Sequence, residues 1–280
     1  MKAAVLGSPI AHSLSPALHR AAYAALGLPG WSYRAIECDE AGLPELLASC
    51  GDGWAGLSLT MPLKRAVLGL ADWLDPVATA TGSANTIVFD GGARGGPAFR
   101  RGYNTDVAGM VTALTETGLD GPPPETLILG GGATACSALA ALRELGIDRA
   151  EVAVRDRGGA DGLLAAAARL GVSTGLRAFG KIPDHGPELL ISTVPAGGAD
   201  FYAERFQLFS PAPRLVFDVV YHPWPTALAA AAAAAGAVTV GGFELLLHQA
   251  ARQVQLMTGR QAPVAQMRAA GQAELAARAT

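Results

Sequence analysis

Cysteine is scarce in this chain: Cys38, Cys50 and Cys136 are the only three among 280 residues. They form no Cys-x-x-Cys pair and leave an odd number, so neither a disulfide framework nor a zinc site is suggested, and a reducing cytoplasm is the simplest setting. No metal is expected. Charge of one sign is missing too: 21 Lys and Arg against 24 Asp and Glu leave a net charge of −3, with no basic stripe interleaved with aromatics. That removes the electrostatic case for nucleic acid. Long apolar runs are absent as well. The start, MKAAVLGSPIAHS, has one lysine and an apolar run of about five, too short for the core of a targeting peptide. Residues 226–240 are mainly alanine and too short for a bilayer, so no membrane span is expected.

What is present is ordinary globular material, 50% apolar and 16% charged, in a chain long enough for two lobes with their own cores. Short β-type runs alternate with helical stretches: AAVL, a helix over 15–26, WSYRAIE, AGLPELLAS, AGLSLT, a helix after Pro62, then SANTIVF, an extended segment over 97–103 and a helix near 105–117. This alternation predicts βαβ units and a mainly parallel sheet. Gly and three consecutive prolines in GLDGPPPET, residues 118–126, give the strongest boundary signal. Beyond it come TLILGGG, a helix over 133–145, EVAV, an alanine-rich helix, PELLISTV, RLVFDVVY and AVTV. The chain closes with GGFELLLHQAARQVQLMTG, where Phe243, Leu246, Leu247, Ala250 and Val254 recur at helical spacing. The expected organisation is an α/β protein of two lobes, with segments over 1–103, 104–242, entered by a linking helix, and 243–280.

LILGGGATAC places Gly130, Gly132 and Ala135 in a G-x-G-x-x-A pattern between a β-type run and a helix. That is the context of a dinucleotide fingerprint: the first glycine permits the tight turn, the second lets backbone approach a pyrophosphate, and the small third residue allows close helix packing. Free N–H groups at the helix start then favour phosphate. The ribose-reading position is expected at the end of the next strand, about twenty-five residues on, where Arg155, Asp156 and Arg157 stand. Asp156 suits the 2′-hydroxyl of NAD. The two flanking arginines suit the 2′-phosphate of NADP and tip the reading that way.

In the first lobe, LSLTMPLK puts Ser58, Thr60 and Lys64 where a strand gives way to a helix. SANTI places Asn85 and Thr86 ahead of a β run, and GYNTDVAGM places Asn104, Thr105 and Asp106 at a helix start. Singly, each has an ordinary role as cap, turn residue or surface lysine. Together, hydroxyls, amides and one Lys/Asp pair at successive strand ends outline a pocket for a small polyol. AHSLSPALHR adds Ser13 and Ser15, two hydroxyls beside a helix N-terminus that favours an anion; Ser15 is read as the N-cap and Pro16 as a first-turn residue. His12 and His19 are read as structural.

SPIAHSLSPALH, LSLTMPLK, SANTI, YNTD, GGGATA, FDVVY and GGFELLLHQAA follow one another in the order and approximate spacing of the shikimate dehydrogenase family, which the chain resembles over nearly its whole length. The resemblance implies an NADP-dependent enzyme that interconverts 3-dehydroshikimate and shikimate in the route to chorismate and the aromatic amino acids, with a substrate-binding α/β domain over 1–103, a Rossmann-type NADP-binding domain over 104–242 and C-terminal helices over 243–280 returning to the first lobe. On matching positions it implies that Ser13 and Ser15 hold the substrate carboxylate. Thr60, Asn85 and Asp106 then read its hydroxyls, Tyr221 and Gln249 close the pocket, and Lys64 with Asp106 is the catalytic pair. It also implies cofactor contacts from Gly130, Gly131, Gly132, Ala133, Thr134, Ala135, Arg155, Asp156 and Arg157, with Val219 and Gly242 near the nicotinamide. A cationic lysine can stabilise charge on the carbonyl oxygen and deliver the proton, while a neutral one can serve as base in the oxidative direction.

Three departures stand out. Ser58 occupies a position where many family members have Asn; RDR replaces the Asn-Arg-Thr of many NADP-preferring members; and GGGATA replaces GAGGAS. The alternatives are an NAD-dependent quinate/shikimate dehydrogenase and a cofactor-binding regulatory paralogue without turnover. A monomer or homodimer is expected.

Overall fold

A computed structural model describes residues 1–90, 98–119, 123 and 125–278. The chain forms two compact units: Met1–Asp106 with Leu246–Thr280, and Val107–Leu245.

The first unit contains β1 (Lys2–Gly7), α1 (Ser15–Ala25), β2 (Ser32–Glu37), α2 (Leu43–Ser49), β3 (Trp54–Leu59), α3 (Leu63–Ala66), β4 (Trp73–Leu74), α4 (Pro76–Thr81), β5 (Thr86–Asp90) and β6 (Phe99–Tyr103). The sheet order is β2-β1-β3-β5-β6-β4. It is mixed rather than uniformly parallel, because β5 pairs antiparallel with both β3 and β6 while β1, β2 and β3 are parallel. β5 and β6 follow each other with no helix between them among the described residues, so the chain reverses instead of crossing over. Of the expected extended segment, Pro97 lies outside the described residues. β1 is buried on both faces: Ala4 and Leu6 pack with Leu57, Leu59, Leu63 and Ile87, while Ala3 and Val5 pack with Tyr23, Tyr33 and Met257. That is why this strand reads as a continuous apolar run.

Two helices straddle the chain's division into units: α5 (Asp106–Thr115) and α10 (Gly242–Thr258). α11 (Val264–Arg278) follows and belongs to the first unit.

The second unit holds β7 (Thr126–Leu129), α6 (Ala133–Glu144), β8 (Arg149–Val154), α7 (Asp161–Leu170), β9 (Ser173–Ala178), β10 (Leu189–Ser192), α8 (Asp200–Glu204), β11 (Leu215–Asp218), α9 (Ala227–Ala234) and β12 (Val238–Gly241). Its sheet runs β12-β11-β10-β7-β8-β9 and every pairing is parallel. Read from the β9 edge this is the doubly wound order 3-2-1-4-5-6, whose strand order reverses between β7 and β10. The sequence reading omitted β9, whose residues are all exposed or half-buried at the sheet edge and carry a weak apolar signal. Of the boundary stretch 118–126, residues 120–122 and 124 lie outside the described residues. Among those described, no helix is long and apolar enough to cross a membrane.

Candidate functional site

In the first unit, the strand ends deliver polar side chains to one place. β3 ends at Leu59; Thr60 follows, and its carbonyl accepts the Leu63 N–H at 2.8 Å, opening the short helix that carries Lys64. The Lys64 ammonium donates to Asp106 Oδ2 at 2.6 Å, with the aspartate side chain only 4% exposed. Asp106 is the first residue of α5, where the positive end of the helix favours its charge. Its other oxygen, Oδ1, accepts from Asn85 Nδ2 at 2.9 Å, and the same amide nitrogen donates to Gln249 Oε1 at 2.8 Å. Asn85 Oδ1 is occupied in turn by the N–H and hydroxyl of Thr105 and the hydroxyl of Thr86, at 2.8, 3.0 and 2.9 Å. Lys64, Asn85, Asp106 and Gln249, separate in the sequence, thus form one hydrogen-bonded set. Thr60 is half-buried.

Ser13 and Ser15 are together, but not as first read. The Leu14 carbonyl accepts the first helical bonds, from Ala17 and Leu18, so Leu14 is the N-cap of α1 and Ser15 is its first helical residue. The Ser15 N–H donates to Ser13 Oγ at 3.3 Å, one residue ahead of the cap, and no side chain caps the helix. Pro16 lies in the first turn as expected. Arg278, at the end of α11, donates to the His12 and Ser13 carbonyls at 2.7 and 3.4 Å and so ties down this loop. His19 is fully buried and stacks on Tyr33 with ring centroids 3.9 Å apart; burial pushes its pKa down to about 3. Its ring nitrogens face Gln253 Oε1 and the Tyr23 hydroxyl, in keeping with a structural role.

Ser58 is committed inward. Its hydroxyl accepts from Tyr33 at 2.6 Å and donates to Gln253 at 2.8 Å, and the residue is 4% exposed. Gln253 was missed by the sequence reading. It stands four residues after Gln249 on α10, one turn along the same face, and that spacing was the available signal.

In the second unit the glycine turn follows β7 at the point where strand order reverses. Gly130 has φ +108°, and a Cβ there would come within 2.6 Å of Thr193 Oγ1 at the end of the neighbouring strand β10. Gly132 is the N-cap of α6, with extended backbone, and a Cβ on it would meet nothing within 4 Å. No side chain caps α6, so the N–H groups of its first turn, from Ala133, Thr134 and Ala135, are left for an anion; Ala135 itself is buried against the sheet. Gly131 is half-buried and its Cβ would touch Val154 at 3.1 Å. An open backbone cradle with uncapped donors fits a pyrophosphate. After β8, Arg155, Asp156 and Arg157 are all exposed. Asp156 Oδ1 accepts from the Gly158 N–H at 2.9 Å, and Arg157 donates to the Leu176 carbonyl at 3.0 Å. Val219 and Tyr221, both half-buried, flank the end of β11. The Gly242 N–H donates to the Val220 carbonyl at 3.1 Å, and a Cβ on Gly242 would collide with the Val219 carbonyl. Asp218, at the same strand end, is buried, which raises its pKa, and it accepts from Thr226 at 2.8 Å and from the Val220 N–H at 3.2 Å.

Comparison with known proteins matches residues 5–87 to the shikimate dehydrogenase substrate binding domain and residues 242–270 to the shikimate 5′-dehydrogenase C-terminal domain. A shikimate dehydrogenase (NADP(+)) of Methanothrix thermoacetophila is 36% identical over 276 residues, covering 97% of each chain. The chain belongs to the shikimate dehydrogenase family. The solved shikimate dehydrogenase of Mycobacterium tuberculosis is 43% identical, with a TM-score of 0.85 over 97% of this chain and 99% of that one. The Thermus thermophilus shikimate 5-dehydrogenase, solved in complex with NADP(H) and shikimate, is 31% identical, with a TM-score of 0.81 over 98% of this chain and 99% of that one. Both share the architecture of a substrate-binding lobe and a Rossmann-like lobe.

Proposed function

We propose that this chain catalyses the reversible, NADP-dependent reduction of 3-dehydroshikimate to shikimate, in the shikimate pathway. The observation that carries the chemistry is the Lys64–Asp106 contact of 2.6 Å, braced by Asn85 on the second carboxylate oxygen. When bound, the nicotinamide cofactor supplies or takes the hydride. The chain's own residues do the rest. Lys64 places an ammonium where charge develops on the carbonyl oxygen and holds the proton that this oxygen needs. Asp106, held by Asn85, orients that ammonium and accepts from a neighbouring substrate hydroxyl. Ser13 and Ser15 receive the carboxylate, and Thr60 and Gln249 read further hydroxyls. In this assignment the unit built from residues 1–106 and 246–280 holds the substrate. The other unit holds the cofactor on the turn Gly130–Ala135, with Arg155 and Arg157 toward the 2′-phosphate, Asp156 turned onto its own loop, and Val219 and Gly242 at the nicotinamide end. Three buried cysteines, none of them in a disulfide, support a reducing, cytoplasmic setting, and size-exclusion chromatography distinguishes monomer from homodimer.

The test is a four-way steady-state comparison, shikimate or quinate with NADP or NAD, followed by absorbance of the reduced cofactor. The highest kcat/KM is expected for shikimate with NADP. Preference for quinate with NAD would move the chain to the quinate/shikimate branch, and binding without turnover would make it a regulatory paralogue.

A further inference from the structure

We propose that Gln253 is a positioning residue, whose side-chain amide fixes the Gln249 amide so that Gln249 offers N–H donors, not its oxygen, to the substrate. The inference rests on the functional reading above. Gln253 is 1% exposed and both ends of its amide are engaged. Its Oε1 faces His19 Nε2 at 3.2 Å and the Ser58 hydroxyl at 2.8 Å. Its Nε2 faces Thr86 Oγ1 at 3.0 Å, Gln249 Oε1 at 3.3 Å and the Asn85 carbonyl at 3.4 Å. A main-chain carbonyl only accepts, so the nitrogen of Gln253 must be the end that faces Asn85. The hydroxyls agree. Thr86 gives its proton to Asn85 Oδ1 and is left to accept, and Ser58 takes a proton from Tyr33 and is left to donate. His19, neutral because burial holds its pKa near 3, carries its proton on Nε2 and turns Nδ1 to the Tyr23 hydroxyl at 3.5 Å.

Gln249 stands at the open end of this chain of bonds. Its oxygen receives two donors, Asn85 Nδ2 at 2.8 Å and Gln253 Nε2 at 3.3 Å. The direction of the Asn85 amide is itself set by the Thr105 main-chain N–H on Asn85 Oδ1. With its oxygen claimed from two sides, half-buried Gln249 turns its –NH₂ outward. The substrate atom opposite must then be an acceptor, a hydroxyl or carboxylate oxygen with a free lone pair. A group that only donates is rejected there, because it would leave buried N–H donors unpaired.

The experiment is a double-mutant cycle with wild type, Gln253→Met, Gln249→Ala and the double variant. It reads kcat, both Michaelis constants, and shikimate dissociation constants by calorimetry. Gln253→Met keeps the length of the side chain and removes its hydrogen bonds. It is expected to raise the shikimate KM and Kd about fivefold, the loss of one net hydrogen bond. The NADP KM should not change, and the effect should vanish in the Gln249→Ala background. An equal effect in both backgrounds, or none in either, overturns the proposal. Loss of turnover in wild type itself would overturn the proposed function instead, while the dissociation constants still read the cycle. Should Gln253→Met fail to fold, Ser58→Ala removes a single donor to Gln253. It is expected to raise the shikimate Kd about twofold, again only where Gln249 is present; an effect that persists without Gln249 counts against the proposal.

Discussion

At the scale of single residues, the site depends on side chains whose partners are already settled before substrate arrives. Lys64 is fixed by Asp106, and Asp106 by Asn85 and the start of α5, so little reorganisation is needed when charge develops nearby. Lys64→Ala is therefore expected to lower kcat by roughly 10²–10⁴, the usual worth of general acid/base help, with NADP affinity unchanged by fluorescence titration. A kcat within a few-fold of wild type would take the lysine out of the mechanism. The two arginines of the charged turn differ in what they already hold. Arg157 spends a donor on the Leu176 carbonyl, whereas Arg155 is exposed ahead of it. Replacing either by Ala should raise the KM for NADP more than that for NAD, with the larger discrimination lost at Arg155; equal losses for both cofactors would mean that neither reads the 2′-phosphate.

Elements carry the next set of consequences. In the turn between β7 and α6, Gly130 and Gly132 do different jobs. A side chain at Gly130 meets both a positive φ and the Thr193 hydroxyl, so Gly130→Ala should cost about 1–3 kcal/mol of stability in a urea titration. At Gly132 the backbone is extended and the space for a Cβ is open, so Gly132→Val should leave the urea midpoint near wild type while weakening NADP binding by about tenfold or more, as the methyl groups hold the phosphate off the N–H groups. Similar stability losses for both would dismiss this division. The last helix acts from a distance: Arg278 holds the His12 and Ser13 carbonyls. Arg278→Ala removes about 1 kcal/mol of restraint on the serine loop, expected as an approximately fivefold rise in shikimate KM with kcat preserved.

For the whole molecule, the buried His19 links stability to pH. Its folded pKa is about 3 against 6.5 for a free histidine, so between those values the unfolded chain binds the extra proton. Its contribution is complete above about pH 6.5 and is lost as pH falls toward 3, at up to about 1.4 kcal/mol per pH unit. Asp75 and Asp218 act in the opposite sense, since burial raises their pKa values above the usual 3.8. The Tm should therefore fall from pH 7 to pH 5, and His19→Phe, which keeps a ring for Tyr33 to stack on, should flatten that slope; an unchanged slope would assign it elsewhere.

Much of this was legible in one dimension. The alternation of apolar runs and helical stretches announced an α/β chain because strand and helix periods are local. The glycine turn was readable because its geometry needs residues within six positions of one another, and the motifs from SPIAHSLSPALH to GGFELLLHQAA carried the family. The tertiary structure alone decided that β5 reverses within the first sheet, because strand direction is set by pairing. It alone gave the cap of α1 to Leu14 in place of Ser15, a choice that depends on which carbonyl takes the first helical bond. It alone turned Ser58 inward and brought Gln253 to Ser58 and Thr86, because hydrogen-bond partners 195 and 167 residues apart on the chain meet only when α10 returns to β3 and β5. The sequence determined which chemical groups this protein has at its strand ends; the fold decided which of them face one another, since a hydrogen bond depends on distance and direction in space rather than on spacing along the chain.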